Sequence, residues 1–220
     1  DTADIFYSVN GDVTFKQYTG PFQIYETSDI TAFAVSNGKY NSETATAKYI
    51  LLSGNASDFI VDETDTLVAY NGSAVSVSIP SYVNGNKVAN VAKSAFSGNT
   101  TVSSVVFEAS LATIGEGAFV GCSSLTSVKA PGVTVIEKSA FMECESLRTV
   151  TSYELTNIGE KAFYGCPLLS TVTHDKVEVI GANAFENTEV FTSFSSAYVT
   201  HIGAEAFKNS AITSLGIGSA

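Results

Sequence analysis

The sequence predicts a solenoid of stacked repeats over most of the chain, preceded by a small all-β module. Three observations support this fold class. An Ala-Phe pair recurs with one spacing of 23 residues and then four of 22, apolar residues recur at fixed offsets from each pair, and residues before about 52 lack this period. A chain of 220 residues that is 45% hydrophobic is long enough to bury the required core.

Six phenylalanines anchor the period: Phe96, Phe119, Phe141, Phe163, Phe185 and Phe207. Val or Ile stands five residues before each anchor, and Val or Leu stands eight before it. Apolar residues follow six and nine positions after it, with one residue lost in the last repeat. Each unit is too small to bury its own apolar side, so neighbouring units must stack and share a core. We expect one short strand and a brief helical or 3₁₀ segment around the Ala-Phe pair in each repeat, which makes the fold class mixed.

The repeat has a recognisable consensus. Ile114-Gly115-Glu116-Gly117-Ala118-Phe119-Val120-Gly121-Cys122 returns as Ile158-Gly159-Glu160-Lys161-Ala162-Phe163-Tyr164-Gly165-Cys166. Together with the L-x-x-V spacing of the strand, it resembles the BspA-like leucine-rich repeats of bacterial surface proteins over more than half of the chain. The resemblance implies a leucine-rich-repeat solenoid over residues 53–220, secreted or at the bacterial cell surface.

Residues 58–80, which end in Val77-Ser78-Ile79-Pro80, look like the capping hairpin that opens such arrays. Alternating apolar residues also favour a hairpin, with Asp62, Glu63 and Asp65 at its turn. A calcium loop is the alternative, but no Gly and no distal Glu stand at the spacing that such a loop requires. We therefore interpret these acids as turn residues.

Residues 1–52 show alternating segments at 5–9, 22–25, 30–35 and 44–51, separated by Asn-Gly and Gly-Pro turn signals. This pattern predicts a small all-β module. The stretches Tyr18-Thr19-Gly20-Pro21, Ile30-Thr31-Ala32-Phe33-Ala34-Val35 and Gly38-Lys39-Tyr40-Asn41-Ser42 resemble the immunoglobulin-like C-terminal module of chitobiase-type proteins. That resemblance implies an Ig-like sandwich, usually a spacer, whose first strands lie upstream of Asp1. We expect the native protein to extend beyond both ends of the sequence.

The charge balance disfavours two classes of partner. With 22 acidic and 11 basic residues, the formal net charge is −11. Nucleic acids and anionic membranes would be repelled by this charge. Apolar runs of a few residues are also far shorter than the ~20 that span a bilayer. We expect no nucleic-acid partner, no membrane insertion and a monomer.

Three cysteines, Cys122, Cys144 and Cys166, each stand three residues after an anchor, so the solenoid stacks them. Zinc requires four converging ligands, whereas a ladder holds side chains parallel at ~4.8 Å spacing. Buried packing by free thiols is the favoured interpretation. We expect no metal and no cofactor.

No catalytic group is expected. The histidines, His174 and His201, occupy different repeat positions and have no nucleophile motif beside them. Glu116 and Glu160 share a slot two repeats apart, a spacing near that of inverting glycosidases, but Lys138 stands between them and Lys93 precedes them. This column therefore predicts exposed ion pairs. The recurring Ile-Gly is interpreted as a tight turn rather than a phosphate loop.

Residues that flank each buried strand position should point outward. On successive repeats they are almost all Ser or Thr, whereas most acids after residue 91 lie within four positions of an anchor, on the turn side. Such hydroxyls also simply suit an exposed strand. Ser152, His174 and Ser196 break an otherwise apolar slot. The candidate ligand-binding residues are Thr149, Thr151, Tyr153, Thr171, Thr173, His174, Asp175, Ser193, Ser195 and Tyr198.

These features favour a non-catalytic secreted or cell-surface binding or adhesion protein whose partner is an extracellular protein or glycan. Two alternatives remain open. The chitobiase-like front end suits an accessory module of a larger glycan-processing enzyme, and a structural spacer without a ligand is also compatible with a repeat scaffold.

Overall fold

The computed structural model describes residues 3–9, 11, 13–20, 28–36, 41–49, 56–107 and 111–218. They fall into two compact units, one within Asp1–Leu52 and one within Ser53–Ala220. Across these described ranges, no helix has both the length and the apolar character that crossing a membrane requires.

The described residues of the first unit form a four-stranded antiparallel sheet. Its strands are Asp4–Val9, Lys16–Gln17, Ser28–Val35 and Ala45–Tyr49, and the second strand lies at the edge beside the first. The Phe6 and Phe33 rings stack across neighbouring strands with centroids 5.8 Å apart. An Ig-like sandwich requires two packed sheets, and the described part of this unit holds one. The expected segment 22–25 lies outside the described residues.

The second unit is a solenoid of seven coils whose strands form two sets of parallel ladders. One ladder belongs to an eight-stranded sheet and joins Thr66–Tyr70, Asn90–Val91, Thr113–Ile114, Val135–Ile136, Asn157–Ile158, Val179–Ile180 and His201–Ile202. The other is a five-stranded sheet of Ser76–Ile79, Ser104–Phe107, Ser127–Lys129, Thr149–Thr151 and Thr171–Thr173. Ser193–Ser196 and Ser214–Ile217 pair separately. Each of these coils thus has two strands, where the sequence predicted one.

The segment around each Ala-Phe pair is a run of turns, so the helical or 3₁₀ segment expected there is wrong. The described part of the chain has one 3₁₀ helix, Ala56–Asp58, and the fold is all-β rather than mixed. Two left-handed residues flank each anchor, with φ between 54° and 71°. They are Ser94, Gly117, Ser139, Lys161, Asn183 and Glu205 before it, and Gly98, Gly121, Glu143, Gly165, Asn187 and Asn209 after it. A helix cannot propagate through this alternation because it needs consecutive right-handed residues.

The anchors form a continuous column of rings at the centre of the solenoid. From Phe96 to Phe207, successive ring centroids lie 4.7–5.3 Å apart and the rings are within 18° of parallel. Tyr70 continues the column at the first coil, with its ring 5.2 Å from that of Phe96. The predicted stacking of one phenylalanine per repeat is confirmed. We name each coil by its anchor, from coil 1 at Tyr70 to coil 7 at Phe207.

The recurring Ile-Gly pair opens the turn into each Ala-Phe segment, as interpreted, since the carbonyl oxygen of Gly115 accepts the N–H of Ala118 at 3.1 Å and that of Gly159 accepts the N–H of Ala162 at 3.2 Å. The glycine also permits close contact between coils. Gly115 and Gly159 do not have left-handed backbones. A Cβ at Gly115 would lie 2.5 Å from the carbonyl oxygen of Val91, and one at Gly159 would lie 2.6 Å from the carbonyl carbon of Glu137. Glycine is needed at these positions because the backbone of the preceding coil occupies the space of a side chain.

A hairpin covers the first coil on the eight-stranded side. Phe59–Val61 pairs antiparallel with Thr66–Tyr70. At its turn, Oδ1 of Asp62 accepts hydrogen bonds from the backbone N–H of Thr64 (2.8 Å) and of Thr66 (3.1 Å), and from the Thr64 hydroxyl (2.7 Å). The Thr64 hydroxyl bond is the main cause that lowers the pKa of Asp62. Asp62 thus organises the turn, as the turn interpretation requires.

A second, smaller hairpin joins Tyr82–Val83 to Asn86–Lys87. Its two central residues, Asn84 and Gly85, both have positive φ, 51° and 89°. Positive φ at both positions is the geometry of the type I′ turn, for which Asn-Gly is the preferred pair.

Candidate functional site

The outer face of the five-stranded sheet is built from columns of short polar side chains. Within each strand a buried valine separates two side chains that point outward, as the alternation predicted. The columns are in register from coil to coil: Ser127 pairs with Thr149 and Thr149 with Thr171, while Lys129 pairs with Thr151 and Thr151 with Thr173. The face therefore presents a regular hydroxyl surface on coils 4 and 5.

None of the ten candidate residues is fully buried. Six are exposed, namely Tyr153, Thr171, Asp175, Ser193, Ser195 and Tyr198, and four are partly exposed, namely Thr149, Thr151, Thr173 and His174. They lie on coils 4, 5 and 6, along the outer sheet face and the loops that follow it. All ten candidates therefore belong to three consecutive coils.

This surface contains a break in the sheet, which the sequence analysis did not foresee. The five-stranded sheet ends at Thr171–Thr173 in coil 5, whereas the next strand, Ser193–Ser196, pairs onward with Ser214–Ile217. Earlier coils are also joined by the N–H of the residue after the strand. Ala130 donates to the carbonyl of Thr151 at 2.9 Å, and Ser152 donates to that of Thr173 at 3.0 Å. Among the described residues the corresponding N–H of His174 makes no such bond.

Large aromatic side chains accompany the break. In coil 6 the positions six and nine after the anchor hold Phe191 and Phe194, where the preceding coil has Leu and Val. The Phe191 ring stacks on that of Phe185 within coil 6, with centroids 4.8 Å apart, and Phe194 stacks on His174 of coil 5 at 4.3 Å. The boundary between coils 5 and 6 on this face is thus formed by packed rings in place of paired strands.

His174 is the least satisfied polar group at the break. Its Nδ1 is buried and, within the described part of the chain, is the one buried side-chain nitrogen or oxygen without a hydrogen-bond partner. Burial lowers the pKa of His174, and the nearby Asp175 carboxylate opposes that change. The imidazole is therefore neutral near pH 7, and one of its nitrogens can accept a hydrogen bond. A buried nitrogen without a partner is costly and unusual in a native protein.

Ser152 and Ser196 have structural roles. Both are buried, and their hydroxyls donate to backbone carbonyls, Ser152 to Val133 at 2.6 Å and Ser196 to Val177 at 2.7 Å. Burial therefore accommodates a serine in this otherwise apolar slot, because the hydroxyl finds a backbone acceptor. Only His174 in this slot retains a polar atom without a partner.

Beside the sheet, the loops after the strands form a rim of five residues: Tyr153, Glu154, Asp175, Lys176 and Tyr198. The Lys176 Nζ lies 2.6 Å from Glu154 Oε2. This hydrogen bond is the main cause that raises the pKa of Lys176, with smaller contributions from Asp175 and Tyr198. Lys176 thus stays protonated and its positive charge is balanced by the Glu154 carboxylate. Asp175 is exposed without an ion pair among the described residues.

The three cysteines pack in the core as predicted. All are buried and free, and each Sγ donates to the carbonyl oxygen of the anchor in the preceding coil. The distances are 3.0 Å for Cys122 to Phe96, Cys144 to Phe119 and Cys166 to Phe141. Across the described residues, no group of three or more His, Cys, Asp or Glu side chains is placed to hold a metal ion.

The column of Lys93, Glu116, Lys138 and Glu160 forms exposed ion pairs, as predicted. Lys93 lies 3.1 Å from Glu116, and Lys138 lies 3.0 Å from Glu160. Both carboxylates that would have made up a glycosidase pair are therefore held by lysines. Each exposed pair contributes only about 0.2–1 kcal/mol to stability.

Comparison with known protein families agrees with the repeat pattern. The model of the family described as BspA type leucine rich repeat region matches residues 70–190 and 124–220, with six copies of the repeat. Residues 1–52 lie outside this match. None of the curated proteins matches the chain.

Two solved structures extend the comparison. A leucine rich cell surface protein from Faecalibacterium prausnitzii A2-165 is 28% identical with a TM-score of 0.51, and the match covers 73% of this chain and 52% of that protein. A leucine-rich repeat protein from Eubacterium ventriosum ATCC 27560 is 20% identical with a TM-score of 0.57, covering 74% of this chain and 53% of that protein. The second likeness concerns the fold alone. The chain spans about half the length of both proteins.

Proposed function

Because this chain belongs to the BspA-type leucine-rich repeat family, we propose that it is a non-catalytic binding or adhesion protein, secreted or attached at the bacterial cell surface. It presents the outer face of coils 4 to 6, from Thr149 to Ser195, to an extracellular partner. The matched family supports this assignment, and so does the similarity to a leucine rich cell surface protein from Faecalibacterium prausnitzii.

The break between coils 5 and 6 is the observation on which the site depends. Elsewhere on this face, successive strands satisfy each other's backbone groups, so a partner meets only side chains. At the break the ladder is interrupted and His174 Nδ1 has no partner. Local departures from an otherwise consistent pattern are expected at functional sites. Here the departure lies in the middle of the ten candidate residues.

The surface is also suited to close approach. Ser and Thr side chains are short, so a partner can approach the sheet closely and hydrogen-bond to their hydroxyls. Thr151 and Thr173 pair in register with Lys129 of coil 3. A lysine is therefore already accommodated in this column, and lysines introduced at Thr151 and Thr173 would cover the surface without disturbing the fold.

The experiment is to screen the protein against host extracellular matrix proteins and a glycan array, and to repeat every hit with Thr151→Lys/Thr173→Lys. We expect this variant to lose binding. The matched control is Ser97→Lys/Ala204→Lys, which adds the same two charges at exposed positions on the turn side of the solenoid. If Thr151→Lys/Thr173→Lys binds as well as the parent, the binding site does not lie on this face.

A further inference from the structure

Two exposed tyrosines lie on either side of the sheet break. Tyr153 follows the strand of coil 4 and has 46% of its surface exposed, and Tyr198 follows the strand of coil 6 and has 57% exposed. They are two coils apart, with Tyr153 twelve residues after Phe141 and Tyr198 thirteen after Phe185. A tyrosine ring with an apolar face and a polar tip is suited to contact a partner that is itself partly polar.

The groups between the two rings are polar and carry little charge. Lys176 is paired with Glu154 at 2.6 Å, which leaves the Asp175 carboxylate as the single uncompensated charge of the rim. On the sheet side stand the hydroxyls of Thr173 and Ser195, and the break adds the imidazole of His174. This set offers hydrogen-bond donors and acceptors at short range around two apolar ring faces.

This chemistry disfavours two classes of partner. An anionic chain would be repelled by Asp175 and by the net charge of −11. A protein partner is usually anchored by a contiguous, desolvated cluster of large side chains. Here the outward columns of coils 4 and 5 are threonines, so the two tyrosines are not part of such a cluster.

We propose that this site binds a neutral, extended polysaccharide, with Tyr153 and Tyr198 stacked on two different sugar rings of the same chain. The inference rests on the proposed function and specifies its partner. A pyranose ring exposes C–H groups on its faces and hydroxyls around its edge. The tyrosine rings contact the C–H faces through their negative π-surfaces, while Asp175, Thr173 and Ser195 hydrogen-bond to the hydroxyls.

His174 completes the arrangement. Its stacking on Phe194 fixes the ring in the break, and its buried Nδ1 has no hydrogen-bond partner among the described residues. A sugar hydroxyl that enters the break can both donate and accept, so it suits either tautomer of the neutral imidazole and, unlike an ammonium group, brings no charge into a half-buried position.

The test uses hexasaccharides of β-1,4-glucose, β-1,4-N-acetylglucosamine, β-1,4-mannose and β-1,3-glucose, titrated into the intact chain by isothermal calorimetry. We expect at least one to bind. It should bind about tenfold more tightly than its own disaccharide, because only the longer chain reaches both rings. Tyr153→Ala and Tyr198→Ala should each weaken hexasaccharide binding by about tenfold and leave disaccharide binding less affected.

The control is Tyr82→Ala, since Tyr82 is a similarly exposed tyrosine at the opposite end of the solenoid. It should bind as the parent does. Hexasaccharide binding that survives both single substitutions would overturn the inference. So would the absence of binding to all four hexasaccharides, even if a matrix protein binds and Thr151→Lys/Thr173→Lys abolishes that binding. In this last case the proposed function stands and its partner is a protein.

Discussion

The rings of Phe141 and Phe163 lie 5.3 Å apart and 1° from parallel, each fully buried. Their alignment sets the spacing of coils 4 and 5, the two coils that carry most of the hydroxyl surface. Residues that are 22 apart in sequence thus become direct neighbours in the core, and the geometry of the surface depends on this contact.

Phe141→Ala is expected to destabilise the solenoid by about 3–5 kcal/mol, because it removes a buried ring that stacks on two others and leaves a cavity. Urea denaturation followed by circular dichroism measures the change. Tyr153→Ala is the control, since it truncates an exposed aromatic residue of the same coil. A Phe141→Ala midpoint equal to that of the parent would mean that the ring column does not support the fold.

Gly159→Ala is expected to lower the unfolding midpoint, because the new Cβ would lie 2.6 Å from the backbone of Glu137 and Lys138 and the coils would have to separate. Glu137→Ala is the control at the same position of the preceding coil. It removes only the carboxylate that accepts the Glu116 N–H at 3.0 Å. A Gly159→Ala variant as stable as Glu137→Ala would exclude close backbone approach as the reason for glycine.

Glu143→Gly is expected to stabilise the protein by up to about 1 kcal/mol, because Glu143 has φ of 60° and a left-handed residue with a side chain is strained. The reverse change in the neighbouring coil, Gly121→Ala, should destabilise by a similar amount. A Cβ at Gly121 would meet no atom within 4 Å, so backbone strain is isolated from steric clash. If both variants changed the free energy of unfolding in the same direction, backbone strain at these positions would not explain the changes.

Thiol titration should find three reactive groups in denaturant and a much slower reaction in the native protein, because all three cysteines are buried and free. Ellman's reagent measures both states. One reactive thiol in denaturant would instead reveal a disulfide between neighbouring coils, whose spacing lies within the Cα range of such bonds.

Stability should fall at high pH through Cys166. Burial raises the pKa of this thiol to about 12, whereas an unfolded thiol has a pKa of about 8.5. The unfolded chain therefore loses its proton first, so the contribution of this group is complete below about pH 8.5 and declines as pH rises toward 12. Urea midpoints at pH 7.5 and 10.5 test this. The decrease in urea midpoint between pH 7.5 and pH 10.5 should be smaller for Cys166→Ala than for the parent. An equal decrease would mean that groups other than Cys166 cause the loss of stability.

Much of the solenoid could be predicted because a repeat architecture converts sequence spacing directly into contact. The offsets around Phe96 to Phe207 were sufficient to place the ring column, the cysteine column and the pairing of Lys93 with Glu116. The alternation around Val150 was sufficient to predict which threonines face outward. In each case a local period of two or 22 residues has only one geometric outcome once the coils stack.

Other features depended on contacts between coils. A two-residue strand such as Val135–Ile136 is too short for an alternating pattern, so the second parallel ladder is visible only when its neighbours are in place. Glu143 and Lys161 have left-handed backbones, which residues with side chains such as Glu and Lys rarely adopt. The stacking of the coils imposes this conformation on them. The break at His174 likewise lies where the Phe194 ring of coil 6 packs on coil 5. Sequence period determined which residues meet, and the volume of side chains packed between coils decided how closely the strands approach.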